Sequence, residues 1–140
     1  MINLSKALIS KAASSDFLSD VGGRLFKGRA PQGAQYPYAV YLIVSNAPEK
    51  TYTEAFENVL IQFSLFSAAS GSTEIEGMYS DLISLYDECE MTIPGGLSTL
   101  IWMKRENATL MVEDHTVPPP GSMIQVWHYA VDYMVKTQLS

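Results

Sequence analysis

Between Asn58 and Phe66 the chain alternates strictly: Val59, Ile61, Phe63 and Leu65 fall on one side of an extended backbone, and Leu60, Gln62, Ser64 and Phe66 on the other. A period of two over this length is the signature of a β-strand, and a wholly apolar side must be covered. The chain therefore has to build a sheet and supply something to lie on one of its faces.

Helices are the natural cover. Residues 4–14 read as one, with Asn3 as N-cap and Leu4, Leu8 and Ala12 on one face opposite Lys6 and Ser10; Leu8 and Ile9 are expected to face the sheet. A short helical turn is expected over 16–20, with Phe17, Leu18 and Val21 apolar, and Gly22-Gly23 ends it. Thr73-Glu74-Ile75-Glu76 fits a capping box opening a helix to about Cys89, whose stripe is Ile75, Met78, Tyr79, Leu82, Leu85, Tyr86 and Cys89.

The remaining segments read as strands and connections. Arg24-Leu25-Phe26 starts an extended piece, and Pro31 and Pro37 hold residues 28–37 extended. Residues 38–44 are nearly all apolar or aromatic, as for a central strand or one covered on both faces, and 45–57, with Pro48, reads as a long polar connection. A strand over 98–105 is expected to turn at Glu106-Asn107, with Asn107 at positive φ, into a shorter strand over 109–113. Three consecutive prolines stiffen 114–121, and a long last strand over 123–136 is expected at the centre of the sheet. The order predicts an α+β fold, a mainly antiparallel sheet of about four to five strands with two helices packed on it, as a single domain over 1–140.

Composition agrees with a folded domain. The 140 residues are 47% hydrophobic and 17% charged, enough to bury a core without metals or disulfides. The single cysteine, Cys89, has no internal partner and reads as a small buried apolar side chain. Neither a signal-peptide pattern nor a run of about 18 apolar residues is present, so a membrane role is not expected. A net charge of −6 and a pI near 4.7 disfavour a broad phosphate-binding surface.

Catalytic patterns are scarce. The two histidines are His115, in the proline loop, and His128, in a strand; no G-x-S-x-G elbow, G-x-G-x-x-G fingerprint or phosphate loop occurs. His128 and Asp132 at i, i+4 would converge on a helix, but on a strand they lie about 13 Å apart. Glu113-Asp114-His115 alternate in direction and make no site without help from elsewhere. Trp127, Tyr129 and Tyr133 share a strand face and read as core filling rather than as a base-stacking platform. No catalytic residue, cofactor or metal is expected.

Val21-Gly22-Gly23-Arg24-Leu25-Phe26, then Arg29-Ala30-Pro31-Gln32-Gly33, then Tyr36-Pro37-Tyr38-Ala39-Val40-Tyr41 resembles the N-terminal signature of the tail terminator, or tail-completion, proteins of long-tailed bacteriophages. The strand to Phe66, the helix after a small-residue linker, Lys104-Arg105-Glu106-Asn107 and Val131-Asp132-Tyr133 extend the likeness over nearly the whole chain. The resemblance implies a structural virion protein, not an enzyme, assembled in the host bacterial cytoplasm. It would form a hexameric ring on the head-proximal end of the tail tube, stop tube polymerisation and face the head-tail connector proteins. DNA would pass through without specific binding, and an acidic ring would repel it.

Such a protein works through subunit contacts, and the candidates lie in three segments: Arg24, Arg29, Gln32 and Tyr36 in the arm; Glu49, Lys50, Tyr52 and Glu54 in the polar connection; Pro118 and Pro119 in the proline loop. Arg24 and Arg29 stand out, because a guanidinium can pair bidentately with a carboxylate of an adjacent acidic subunit. Rival readings are a head-tail connector or neck subunit, a small ligand-binding or enzymatic α+β module, and a nucleic-acid-binding module.

Overall fold

The computed structural model describes residues 2–139. Its elements are α1 (Ile2–Ala12), α2 (Asp16–Asp20), β1 (Leu25–Lys27), β2 (Tyr38–Lys50), β3 (Ala55–Ser67), α3 (Thr73–Tyr86), β4 (Ser98–Val117) and β5 (Ser122–Leu139). The strands form one sheet in the order β1-β2-β3-β5-β4, antiparallel throughout except for the short parallel pair β1 and β2. This is the expected α+β fold. The five-residue α2 makes a third helix, its first turn capped by Ser15, whose hydroxyl accepts from the Leu18 N–H.

β3, and not the last strand as expected, sits in the middle of the sheet, with β5 beside it, and its alternation is complete. Val59, Ile61, Phe63 and Leu65 are all fully buried, and across the ladders they meet Ala39, Tyr41 and Ile43 of β2 and Val135, Tyr133, Val131 and Tyr129 of β5. The helices close this face with Leu4, Leu8, Phe17, Ile75, Met78, Leu82 and Tyr86. Phe63 is the aromatic hub: its ring stacks on Tyr86 at 5.0 Å and meets Tyr133 edge-on at 5.8 Å. Tyr86 keeps its hydroxyl satisfied by donating to the Leu8 carbonyl, 2.8 Å away, which ties α3 to α1.

Several expected details change. The first helix begins at Ile2, so Asn3 lies inside it rather than capping it, and its side chain packs against Gly95. Ile9 points to solvent while Leu8 takes the core position. The third helix has Ser72, not Thr73, at its N-cap, and it stops at Tyr86, leaving Cys89 beyond its end. There the chain turns through Glu88 at positive φ, and the Glu88 N–H donates to the Met103 carbonyl at 2.8 Å.

The polar stretch 45–57 is not a loop. β2 and β3 continue as a paired ribbon to Lys50 and Ala55, with a bulge at Val44. Pro48 is tolerated because β1 pairs only with residues 39–41, so the rest of β2 is an edge strand. Nor does the chain turn at Glu106-Asn107. β4 runs unbroken for 20 residues, and Ile101 and Glu106 are bulged residues without a partner on β5; Asn107 is an ordinary paired residue, not one at positive φ. The proline turn shrinks accordingly to 118–121, with β4 paired up to Val117.

Candidate interaction surfaces

The helices cover only one face of the sheet. The opposite face carries Tyr38, Val40 and Leu42 of β2, Phe56, Leu60, Gln62, Ser64 and Phe66 of β3, and His128, Ala130, Asp132 and Met134 of β5. Residues 38–44 were expected to be sealed on both sides; instead Leu42 and Val44 are 46% and 49% exposed. Near-continuous apolar sequence here reflects a face that is half covered at best. The loop 28–31 leans over it, and a cleft forms between Arg29, Ala30 and Pro31 above and Tyr38, Val40, Leu42 and Phe66 below.

Arg24 holds the arm in place rather than projecting from it. Its guanidinium Nε donates to the carbonyls of Gln35 and Pro37, each at 3.1 Å, and the side chain packs over Gly22, where an added Cβ would come within 2.8 Å of Nη1. Gly22 and Gly23 both adopt positive φ there, as the glycine pair foretold. Arg29 and Gln32 are exposed.

Tyr36 leads from the arm into a polar chain that no local reading of the sequence finds. Its hydroxyl is 2.6 Å from His115 Nδ1, His115 Nε2 is 3.1 Å from Glu113 Oε1, and His128 Nδ1 is 3.0 Å from Glu113 Oε2. Tyr36 donating to Nδ1 leaves His115 to donate through Nε2 and His128 through Nδ1 to one carboxylate, while the buried His128 Nε2 has no partner among the described residues. The His128 bond, with His115 in support, holds the Glu113 carboxyl below its ordinary range. Phe66 stacks on His128 at 4.4 Å and on Tyr38 at 4.9 Å, walling the chain on the sheet side. Burial, with Tyr36 beside it, pushes the Tyr38 hydroxyl up to about 12.

Glu113 and His115 do alternate with Asp114 as expected; the distant help comes from β5 and the arm. His115, expected in the proline loop, shares a strand with Glu113 because β4 extends to Val117. What sequence could not supply was the register Met111↔His128, which sets the second imidazole beside the first. Because both histidines direct a nitrogen at the same carboxylate, the group is a hydrogen-bonded clamp. Among the described residues no three of His, Cys, Asp and Glu converge in a geometry that would hold a metal.

The other tempting residues also resolve into structure. Asp132 accepts from the Gln62 side chain at 3.0 Å on the open face. Trp127, Tyr129 and Tyr133 lie on the helix-covered face, Tyr129 stacked on Tyr79 at 4.1 Å and Tyr133 buried with its hydroxyl donating to Asp87. Burial, reinforced by Asp87, raises that hydroxyl far above its ordinary range. Cys89 packs its sulfur 3.9 Å from that of Met103, and burial pushes its thiol up, the opposite of an activated nucleophile.

The contact candidates fall into two groups at opposite ends of the sheet. Arg24, Arg29, Gln32 and Tyr36 gather with the Pro118-Pro119 turn at the end where β2 begins, joined through the Tyr36 to His115 bond. Glu49, Lys50, Tyr52 and Glu54 form the β2–β3 hairpin end, about 40 Å away along β2 at roughly 3.3 Å per residue. Glu49 is tied down by Asn58 at 2.9 Å and Lys136 at 3.4 Å, Thr51 and Glu54 close the turn, and Tyr52 projects fully into solvent at its tip.

An antiparallel sheet with helices on one face and an open second face defines an α+β architecture. It is shared, at a TM-score of 0.71 over 96% of this chain and 94% of the other, with a chain from the virion of a native gene transfer agent particle; sequence identity is 12%. No protein-family model matches the chain, and no curated protein matches it in sequence. No described helix is long and apolar enough to cross a membrane.

Proposed function

We propose that this chain is a structural subunit of a tailed phage or phage-like particle, and that it closes as a ring, hexameric in the resemblance, on the head-proximal end of the tail tube to end polymerisation. The observation that carries the reading is the fold shared over nearly its full length with a chain of a gene transfer agent virion. The tail-terminator resemblance of residues 21–41 supports the particular place proposed. What the side chains do is consistent with this: polar groups are spent on clamps, and the aromatics are spent on packing.

A terminator needs two different neighbours along one axis, the tube below and the head-tail connector above. Two groups of exposed contact candidates about 40 Å apart provide two such ends. Tyr52, flanked by Glu49, Lys50 and Glu54, serves one; Gln32, Pro118 and Pro119 serve the other. The virion is then the site of action, and the chain is structural, with no reaction of its own.

Native mass spectrometry over a concentration series, with negative-stain imaging of polymerised tube mixed with the protein, tests this. Rings that decorate one tube end and halt elongation support the reading. Rings that leave tube ends bare but bind the isolated connector would move the chain to the neck, and a protein that does neither is not a terminator.

A further inference from the structure

Charge is divided between the two edges of the sheet. Residues 1–30 hold Lys6, Lys11, Arg24, Lys27 and Arg29, five of the nine Lys and Arg, against Asp16 and Asp20; residues 87–117, the turn before β4 and β4 itself, hold Asp87, Glu88, Glu90, Glu106, Glu113 and Asp114 against Lys104 and Arg105. Of the basic group Lys11 lies near Cys89 and Arg24 is engaged by the arm, while Lys6 and Lys27 lie at the β1 edge. There Lys27 and Lys6 border a shallow cleft floored by Tyr41 and Pro94, with Ile2 and Ile9 exposed by 66% and 44% on its rim. Arg29 lies just past the end of β1.

The opposite edge, β4, is bordered by acids. Glu88 is held against it by the backbone bond to Met103, Asp87 lies 3.4 Å from Arg105, and Glu106 bulges from the strand without a partner. Ile101, the other bulged residue, is 44% exposed and gives this edge an apolar point of its own. Of the two bases on β4 here, Arg105 is engaged by Asp87 and Tyr79, and Lys104 lies over the Trp102 ring. Among the described residues, Lys6, Lys27, Arg29, Glu88 and Glu106 make no ion pair within the chain.

We infer that these edges mate in trans between copies of this chain: the basic β1 edge of one copy, with its cleft, receives the acidic β4 edge of the next, Ile101 seating among Ile2, Ile9 and Tyr41. The inference rests on the ring reading above and names its subunit interface. A two-fold dimer through either edge would set like charges against each other, whereas a head-to-tail contact sets unlike charges together at every joint. Contact between two different patches repeats around an axis and closes a ring where the rotation per subunit divides the full turn, and otherwise runs on as a filament.

The test uses two full-length variants, K27E/R29E and E88K/E106K, each checked for folding by circular dichroism; should the Glu88 change disturb its turn, E106K alone replaces it. At a concentration where wild-type chain is half assembled, each variant alone is expected to lose tenfold or more of its rings in native mass spectrometry, on the order of the 1.4 kcal/mol that one such factor represents. An equimolar mixture restores them, because each variant's intact edge meets an intact edge and the reversed edges also complement. Wild-type rings that persist in both variants, or a mixture no better than its components, overturn the interface and leave the ring reading standing. A wild-type chain that stays monomeric alone and on tube ends overturns both.

Discussion

The Tyr36 hydroxyl lies 2.6 Å from His115 Nδ1, across 79 positions of sequence, and that contact fastens the arm to the long β4–β5 hairpin. Replacing Tyr36 with Phe removes one hydrogen bond of a half-buried chain and leaves the ring's packing against Tyr38 in place. The expected loss is about 1 kcal/mol in chemical denaturation, together with faster proteolysis within residues 28–37. Unchanged proteolysis of the arm would show that Arg24 alone secures it.

Asp20 sets a pH dependence of unusual sign. Desolvation, then hydrogen bonding and repulsion from Asp81, push its carboxyl up to about 7 from an ordinary 3.8. Between those values the folded chain binds more protons than the unfolded one, so this group's contribution to stability falls as pH rises through the window. Melting temperature is expected to rise as pH drops from 8 to about 5, and D20N should flatten that rise. Glu113 acts oppositely: its carboxyl is depressed, so its stabilisation is present above the ordinary carboxylate range and disappears on further acidification.

The two faces of the sheet should answer substitution differently. Ile61→Ala, in the sealed core, is expected to cost about 2 to 5 kcal/mol. Leu42→Ser, on the open face, should stay within roughly 0.5 kcal/mol of wild type. Comparable losses at both sites would mean that the open face is covered in solution.

Tyr52 separates binding from folding. It is fully exposed at the β2–β3 tip, so Tyr52→Ala should leave the thermal midpoint where it is. Under the terminator reading the same change weakens capping of polymerised tube by about tenfold, measured by the protein concentration that halts elongation, as expected for an aromatic anchor of about 1.4 kcal/mol or more.

Strong local patterns translated directly into structure. The alternation of 58–66 marked a strand and its buried side, and Gly22-Gly23 the stop after α2, but the central place went to 123–136 when it belongs to β3. Three kinds of information were not local. Glu106-Asn107 looks like a hairpin turn, yet β5 offers a continuous partner and the mismatch is absorbed as a bulge. Polar residues 45–57 look like a loop because an edge ribbon beyond the helices needs no apolar side. The chain from Tyr36 to His128 depends on register, which fixes which side chains meet across strands and leaves no trace in sequence spacing.

β4 and β5 are paired over nearly their whole lengths, 20 and 18 residues, and run from the hairpin end of the sheet past the arm to the proline turn. At roughly 3.3 Å per residue the ribbon is about 60 Å long. Tension along its axis would load the ladder in shear, so many hydrogen bonds share the force and must yield together. A pull at right angles on the Pro118-Pro119 turn would instead peel the pairs one after another. The molecule is therefore mechanically anisotropic, stiff along the strands and compliant across them, and the direction in which its neighbours pull decides how much force it can bear.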